Sequence, residues 1–145
     1  MPPRPATEMR ILLVEPDANT RTGLQTLLTA AGYDVAVAEG IDAASPQVFF
    51  SRVDLLLLDA DVAPGRSGAR VLDLLVRMLC MNAGASAVLL TSCPDDVSHD
   101  VEHLGAVAVL EKPVKMGRLR REIEEAARRL EPSTREVPQN GRRCL

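Results

Sequence analysis

The 145-residue chain is 46% hydrophobic and 26% charged, yet Tyr33, Phe49 and Phe50 are its only aromatic residues and it has no Trp. That length suits one domain with a core of Leu, Val, Ile and Ala; the composition excludes disorder throughout, no apolar run approaches the ~18 residues of a membrane span, and Met1 to Met9 lacks the apolar stretch of a secretory signal. The net charge of −3 hides an asymmetry, because residues 1–111 carry 7 Lys/Arg against 15 Asp/Glu and residues 112–145 carry 10 against 5, so the body favours cations or basic partners.

Short apolar runs alternate with longer amphipathic stretches, the pattern of a parallel sheet flanked by helices. Residues 9–14 predict a buried first strand that stops at Glu15-Pro16-Asp17. A first helix over 19–31 follows, with Leu24, Leu27, Leu28 and Ala31 on one face, Asp17 or Asn19 as N-cap and Gly32 as its stop. Residues 33–38 form a second strand, and Ser45-Pro46 then reads as an N-cap followed by Pro at the first helical position, which makes the second helix short or irregular. Residues 53–58 are the most apolar run and predict a central strand covered on both faces and ended by Asp59. A loop over 60–67 leads to a third helix, capped by Ser67 and running to about Met81, that buries Val71, Leu72, Leu75 and Met78 or Leu79. Residues 87–90 are a fourth strand ending in Thr91-Ser92. A short polar helix over 95–104 passes through Gly105 to a fifth strand at 106–110, which ends in Glu111-Lys112-Pro113. The last helix, 115–130, has Leu119, Ile123, Ala126 or Ala127 and Leu130 at inward spacing. Residues 1–8 and 132–145 read as a disordered segment and a tail or linker around one domain at 9–131.

Five such units make an open doubly wound α/β sheet, whose ligand site lies beyond the C-terminal strand ends. Those ends carry Glu15 and Asp17, Asp59, Thr91, and Lys112. Any one of them alone reads first as an ordinary loop residue, since Asp, Thr and Lys often follow strands, but together they suit acyl phosphate formation. A carboxylate attacks a phosphoryl group when Mg2+ and a cation neutralise the transferred oxygens and a hydroxyl bonds one of them. Mg2+ takes one or two carboxylates and completes its shell with water and phosphate oxygens. Asp59 is the expected nucleophile, since it ends the most buried strand between the other groups; Lys112 pairs with the phosphoryl oxygens and Thr91 reports their arrival.

The runs ILLVEPD over 11–17, VDLLLLD ending at Asp59, VLLTS with Thr91 and LGAVAVLEKP with Lys112-Pro113 resemble the receiver domain of bacterial two-component response regulators. The resemblance covers roughly residues 9–131, and its most specific element is Gly105-Ala106 standing seven residues before Lys112. It implies a flavodoxin-like sheet of order 2-1-3-4-5 with helices on both faces. It also implies phosphotransfer to Asp59 from a histidine kinase or phosphotransfer protein, with Mg2+ as cofactor. Output to a downstream partner would pass through the face of helix 4, strand 5 and helix 5.

The sequence departs from that family's pattern at several places. Glu15 matches the first of two acidic residues after strand 1, but Pro16 stands at the second and removes a metal ligand. Asp17 and Asp61 are the candidate replacements, giving Glu15, Asp17, Asp59 and Asp61 as the metal set. The loop after Asp59 is one residue long, which displaces Pro64 and shifts the expected backbone carbonyl ligand, and helix 4 is about one residue short. Val109 replaces the aromatic that turns inward when the Thr moves, so only a packing shift is left to signal with. Two readings follow: a receiver phosphorylated on Asp59 with a weakened Mg2+ site, which alters partner binding, or a pseudo-receiver that binds a partner without phosphorylation.

Weaker signals have plainer accounts. His99 and His103 stand four apart with Cys93 nearby, but without a metal-binding motif a solvated polar helix is the reading. Cys80, Cys93 and Cys144 form no disulfide framework and fit a reducing cytoplasm. The basic run 118–121 with Arg128-Arg129 interleaves with Glu122, Glu124, Glu125 and Glu131, so intrahelical pairing is expected and a homodimer face is the alternative. Asp59-Ala60-Asp61 superficially matches aspartyl-phosphate phosphatases of the haloacid-dehalogenase type, whose nucleophile follows the first strand beneath a cap domain; an enzyme is not expected. Nucleic-acid binding by this chain alone is not expected either, with too few rings for stacking and no helix-turn-helix after Glu131.

Overall fold

The computed structural model describes residues 9–61 and 67–130. The expectations for 1–8, for 132–145 and for Pro64 in the loop lie outside the described residues. The elements run β1 (Arg10–Val14), α1 (Ala18–Ala30), β2 (Asp34–Ala38), α2 (Ile41–Phe50), β3 (Leu55–Asp59), α3 (Ser67–Met81), β4 (Ser86–Thr91), α4 (Pro94–Val101) with a 3-10 turn (Glu102–Leu104), β5 (Val107–Glu111) and α5 (Met116–Leu130). The strands form one parallel sheet of order β2-β1-β3-β4-β5.

Strand register explains why the central strands are apolar throughout. Val37, Leu13, Leu57, Val88 and Ala108 stand side by side in one row across the sheet, and Ala36, Leu12, Leu56, Ala87 and Val107 in the next. Side chains alternate along a strand, so these rows face opposite sides. The first joins Leu28 of α1 with Leu119, Ile123, Ala126 and Ala127 of α5. The second joins Ile41, Ala44 and Val48 of α2, Val71, Leu74, Leu75 and Met78 of α3, and Val101 beyond them. Helices therefore cover both faces, and the chain reverses direction across the sheet at β1, which leaves a crevice between the C-terminal ends of β1 and β3.

The structure corrects several local expectations. α2 begins at Ile41, with Gly40 at its N-cap and Pro46 inside it, not at Ser45-Pro46. Burial of Ile41, Ala44 and Val48 on one helical face outweighs the backbone bond lost at Pro46, and Ser45 Oγ donates to the Ile41 carbonyl at 3.1 Å. In α1 only Leu28 is buried and Leu27 is 56% exposed, because adjacent residues lie about 100° apart around a helix. Asp17, not Asn19, is the cap of α1. In α3 the buried set includes Leu74, while Leu72 and Leu79 pack at the margin. The short polar helix over 95–104 divides into α4 and the 3-10 turn. Strands β3, β4 and β5 include Asp59, Thr91 and Glu111 as their last residues, so two candidate site residues belong to the sheet itself.

Candidate functional site

Asp59 closes β3, is 5% exposed, and lies opposite Leu90 in the register with β4. Its Oδ1 accepts from Lys112 Nζ at 2.9 Å and from the Asp61 backbone N–H at 2.9 Å. Lys112 is held over the site because its own N–H donates to the Thr91 carbonyl at 2.9 Å, which continues the β4–β5 pairing. Burial works against the ammonium of Lys112, but bonds and charges from Asp59 and Asp61 outweigh it and hold its pKa above the ordinary value.

Glu15 follows β1 and remains tied to β2, its N–H donating to the Ala38 carbonyl at 3.0 Å. Its carboxylate is 6% exposed and accepts from the Asp17 N–H at 3.0 Å. Burial pushes the Glu15 pKa up; the Asp17 bond pulls it partly back, and the negative charge of Asp59 adds to the rise. Glu15 and Asp59 are thus two buried carboxylates that feel one another.

The remaining expected ligands point elsewhere. Asp17 Oδ2 accepts from Thr20 N and Thr20 Oγ1, both at 2.8 Å, and caps α1. These donations hold its carboxyl below the usual range. Asp61 turns to the end of β4: Oδ1 accepts from Thr91 Oγ1 at 2.9 Å, and Oδ2 from Ser92 N and Ser92 Oγ, each at 3.0 Å. Lys112 Nζ stands 3.2 Å from the same Oδ2. Burial raises the Asp61 pKa, but the bonds from Thr91, Ser92 and Lys112 outweigh it and set the net shift downward. Thr91 is 1% exposed and its Oγ1 accepts from the Cys93 N–H at 3.0 Å. Val109, on β5 beside Leu89, is half-buried against the core of the α2, α3 and α4 face.

Two residues join the site without having been singled out from sequence. Ser92 doubles the donors on Asp61, and its only sequence signal is its place after Thr91. Arg21, one turn into α1, donates from Nη1 to the Glu15 carbonyl at 2.8 Å and the Pro16 carbonyl at 3.4 Å, which braces the turn containing Pro16.

This donor set meets the needs of Mg2+ in one respect only. Among the described residues, no group of three or more His, Cys, Asp or Glu side chains is placed to hold a metal ion, and that covers His99, His103 and Cys93 as well. Glu15 and Asp59 remain, and a pair of carboxylates suffices for Mg2+ when phosphoryl oxygens and water complete the octahedron. The chemistry of these two carboxylates therefore fits Mg2+ only with other oxygens completing its shell.

The fold and site define an open, doubly wound α/β protein that gathers a buried carboxylate, a lysine and a threonine hydroxyl at adjacent strand ends. Residues 11–124 match the response regulator receiver domain family, and the chain belongs to it: a receiver domain of two-component, phosphorylation-based signal transduction. It is 32% identical over 134 residues to the transcriptional regulatory protein FixJ of Bradyrhizobium diazoefficiens, covering 89% of this chain and 62% of that protein. The chain thus spans less than two thirds of that relative. Full-length FixJ from B. japonicum superposes with a TM-score of 0.70 at 28% identity, covering 86% of this chain and 60% of that one. The response regulator TrrA of Thermotoga maritima, solved in complex with Mg2+ and BeF, shares the fold with a TM-score of 0.65 at 23% identity, covering 81% of this chain and 98% of its own. None of the helices, among the described residues, is long and apolar enough to cross a membrane.

Proposed function

We propose that Asp59 is the phosphoacceptor of this receiver domain. The observation that carries the reading is the 2.9 Å approach of Lys112 Nζ to Asp59 Oδ1 at the buried end of β3. A carboxylate oxygen of Asp59 attacks the phosphorus of a phosphohistidine on a histidine kinase or phosphotransfer protein. The P–N bond breaks, and the imidazole nitrogen leaves with the electron pair. Lys112 neutralises charge on the transferred oxygens, and the Thr91 hydroxyl is the donor that turns to one of them. When bound, Mg2+ supplies further neutralisation of those oxygens, with Glu15 and Asp59 as the residues to hold it. Asp17 and Asp61 remain reserve ligands whose carboxylates must first leave their present partners.

Output runs through the face of α4, β5 and α5, where Pro94, Val109, Pro113, Val114, Lys115 and Arg118 line a groove beside Lys112. A movement of Thr91 reaches Val109 by packing across β4 and β5, since Val109 has no ring to reorient. The partner there is a downstream effector or a second copy of the chain. The module works in the cytoplasm as a switch and not as a turnover enzyme.

The test is intact-mass measurement after incubation with Mg2+ and acetyl phosphate. One added phosphoryl group is expected on the wild type and none on Asp59→Asn, with Lys112→Ala modified more slowly. Absence of the adduct from the wild type, or its persistence in Asp59→Asn, rejects the assignment.

A further inference from the structure

We infer that the Asp61 carboxylate is a built-in stand-in for the phosphoryl group, occupying its hydrogen-bond donors until it is displaced. The inference deepens the reading of Asp59 as phosphoacceptor and rests on it. Asp61 is anchored beside Asp59 by its own N–H, 2.9 Å from Asp59 Oδ1, so its negative side chain is presented where a group on Asp59 would emerge. Its two oxygens take the Thr91 hydroxyl, the Ser92 N–H, the Ser92 hydroxyl and the Lys112 ammonium. A phosphoryl group transferred to Asp59 calls for the same chemistry, an anion with several oxygens each seeking N–H or O–H donors.

Donor capacity makes the two anions mutually exclusive. A hydroxyl has one proton to give, and so does a backbone N–H; an ammonium has three. The protons of Thr91 and both donors of Ser92 are directed at Asp61, while Lys112 divides itself between Asp59 and Asp61. Of these donors, a phosphoryl group arriving with Asp61 in place finds only Lys112 with a proton to spare, and it meets a second negative charge. Asp61 must therefore swing away, and its side chain, 34% exposed, has solvent to receive it. In the unmodified domain Thr91 and Ser92 are already drawn toward an anion beside Asp59.

The full chain is titrated with beryllofluoride in Mg2+, as wild type, Asp61→Ala and Asp61→Asn, with the Thr91, Ser92 and Lys112 amide resonances as readout and circular dichroism as the check on folding. Asp61→Ala is expected to bind about tenfold or more tightly than wild type, the worth of one charge-assisted hydrogen bond no longer to be broken. Asp61→Asn should fall between, because its amide oxygen still accepts but carries no charge. Before beryllofluoride is added, the Ser92 resonance of Asp61→Ala should be displaced from the wild-type position, and beryllofluoride should return it toward that position. Binding by Asp61→Ala that equals or falls below the wild type overturns this inference alone. Failure of all three proteins to bind overturns the Asp59 assignment and this inference with it.

Discussion

Tyr33 offers a residue-scale test of packing, because it is the single tyrosine in a chain without Trp and its phenolate absorbance is read without overlap. Its ring packs at the margin of the core between the sheet and helices α1 and α5. Burial raises its pKa above the ordinary value, and the negative charge of Glu124 adds to the rise. The folded protein thus holds the proton more tightly than the unfolded chain. Stability carried by this group is constant below about pH 10 and is lost as the pH rises through the higher folded value. Spectrophotometric titration should give a midpoint above the ordinary one, and Glu124→Gln should recover the smaller part of the shift, since burial is the larger cause. Urea unfolding at alkaline pH should show a steeper loss in wild type than in Tyr33→Phe; parallel curves would contradict this account. Asp17 shows how far such reasoning reached from sequence. Its place before the first helix marked it, with Asn19 as the alternative, as an N-cap, and its place near Glu15 marked it as a metal ligand, but one carboxylate oxygen accepting two bonds from Thr20 satisfies the first role in the folded chain.

At the scale of the element, α2 is where a local rule met a stronger tertiary one. Ser45-Pro46 has the chemistry of a helix start, yet the helix begins five residues before Pro46 because Ile41, Ala44 and Val48 all enter the core. Pro46 cannot donate to the carbonyl one turn earlier, and its ring crowds that carbonyl. Pro46→Ala should restore the bond and relieve the crowding, at the cost of a more flexible unfolded chain. The balance is a gain of roughly 1–2 kcal/mol in unfolding free energy, measured by urea denaturation; a loss of stability would mean that the proline shapes the α2 approach to the sheet. The strands were more legible than the helices, because a run such as Leu55 to Leu58 requires burial on both faces whatever surrounds it, whereas a helical stripe leaves its centre uncertain by one residue. The contrast between buried Leu28 and exposed Leu27 is that uncertainty resolved.

For the molecule as a whole, the scarcity of aromatics means that stability resides in the aliphatic layers. Leu57 is fully buried in the central strand, while Phe50 is 86% exposed at the end of α2 beside Phe49, over whose ring Arg77 lies at 5.2 Å. Leu57→Ala should cost about 3–4 kcal/mol through lost burial and the cavity left behind, and Phe50→Ala should change stability by less than about 0.5 kcal/mol. Equilibrium denaturation of the two variants checks the pair, and a large loss on removing Phe50 would show a core that extends beyond the two described.

By itself the amino-acid sequence determined the five strand–helix units, the doubly wound class and the set of polar residues at the strand ends. Those features follow from apolar periodicity and from where each apolar run stops, both of which are local. The direction in which each carboxylate turns was decided only by the tertiary structure. Asp61 faces Thr91 across 30 residues of chain, and Asp59 faces Lys112 across 53. Donors at such separations become neighbours only through the β3-β4-β5 pairing, and a carboxylate settles on whichever donors the assembled sheet places within reach.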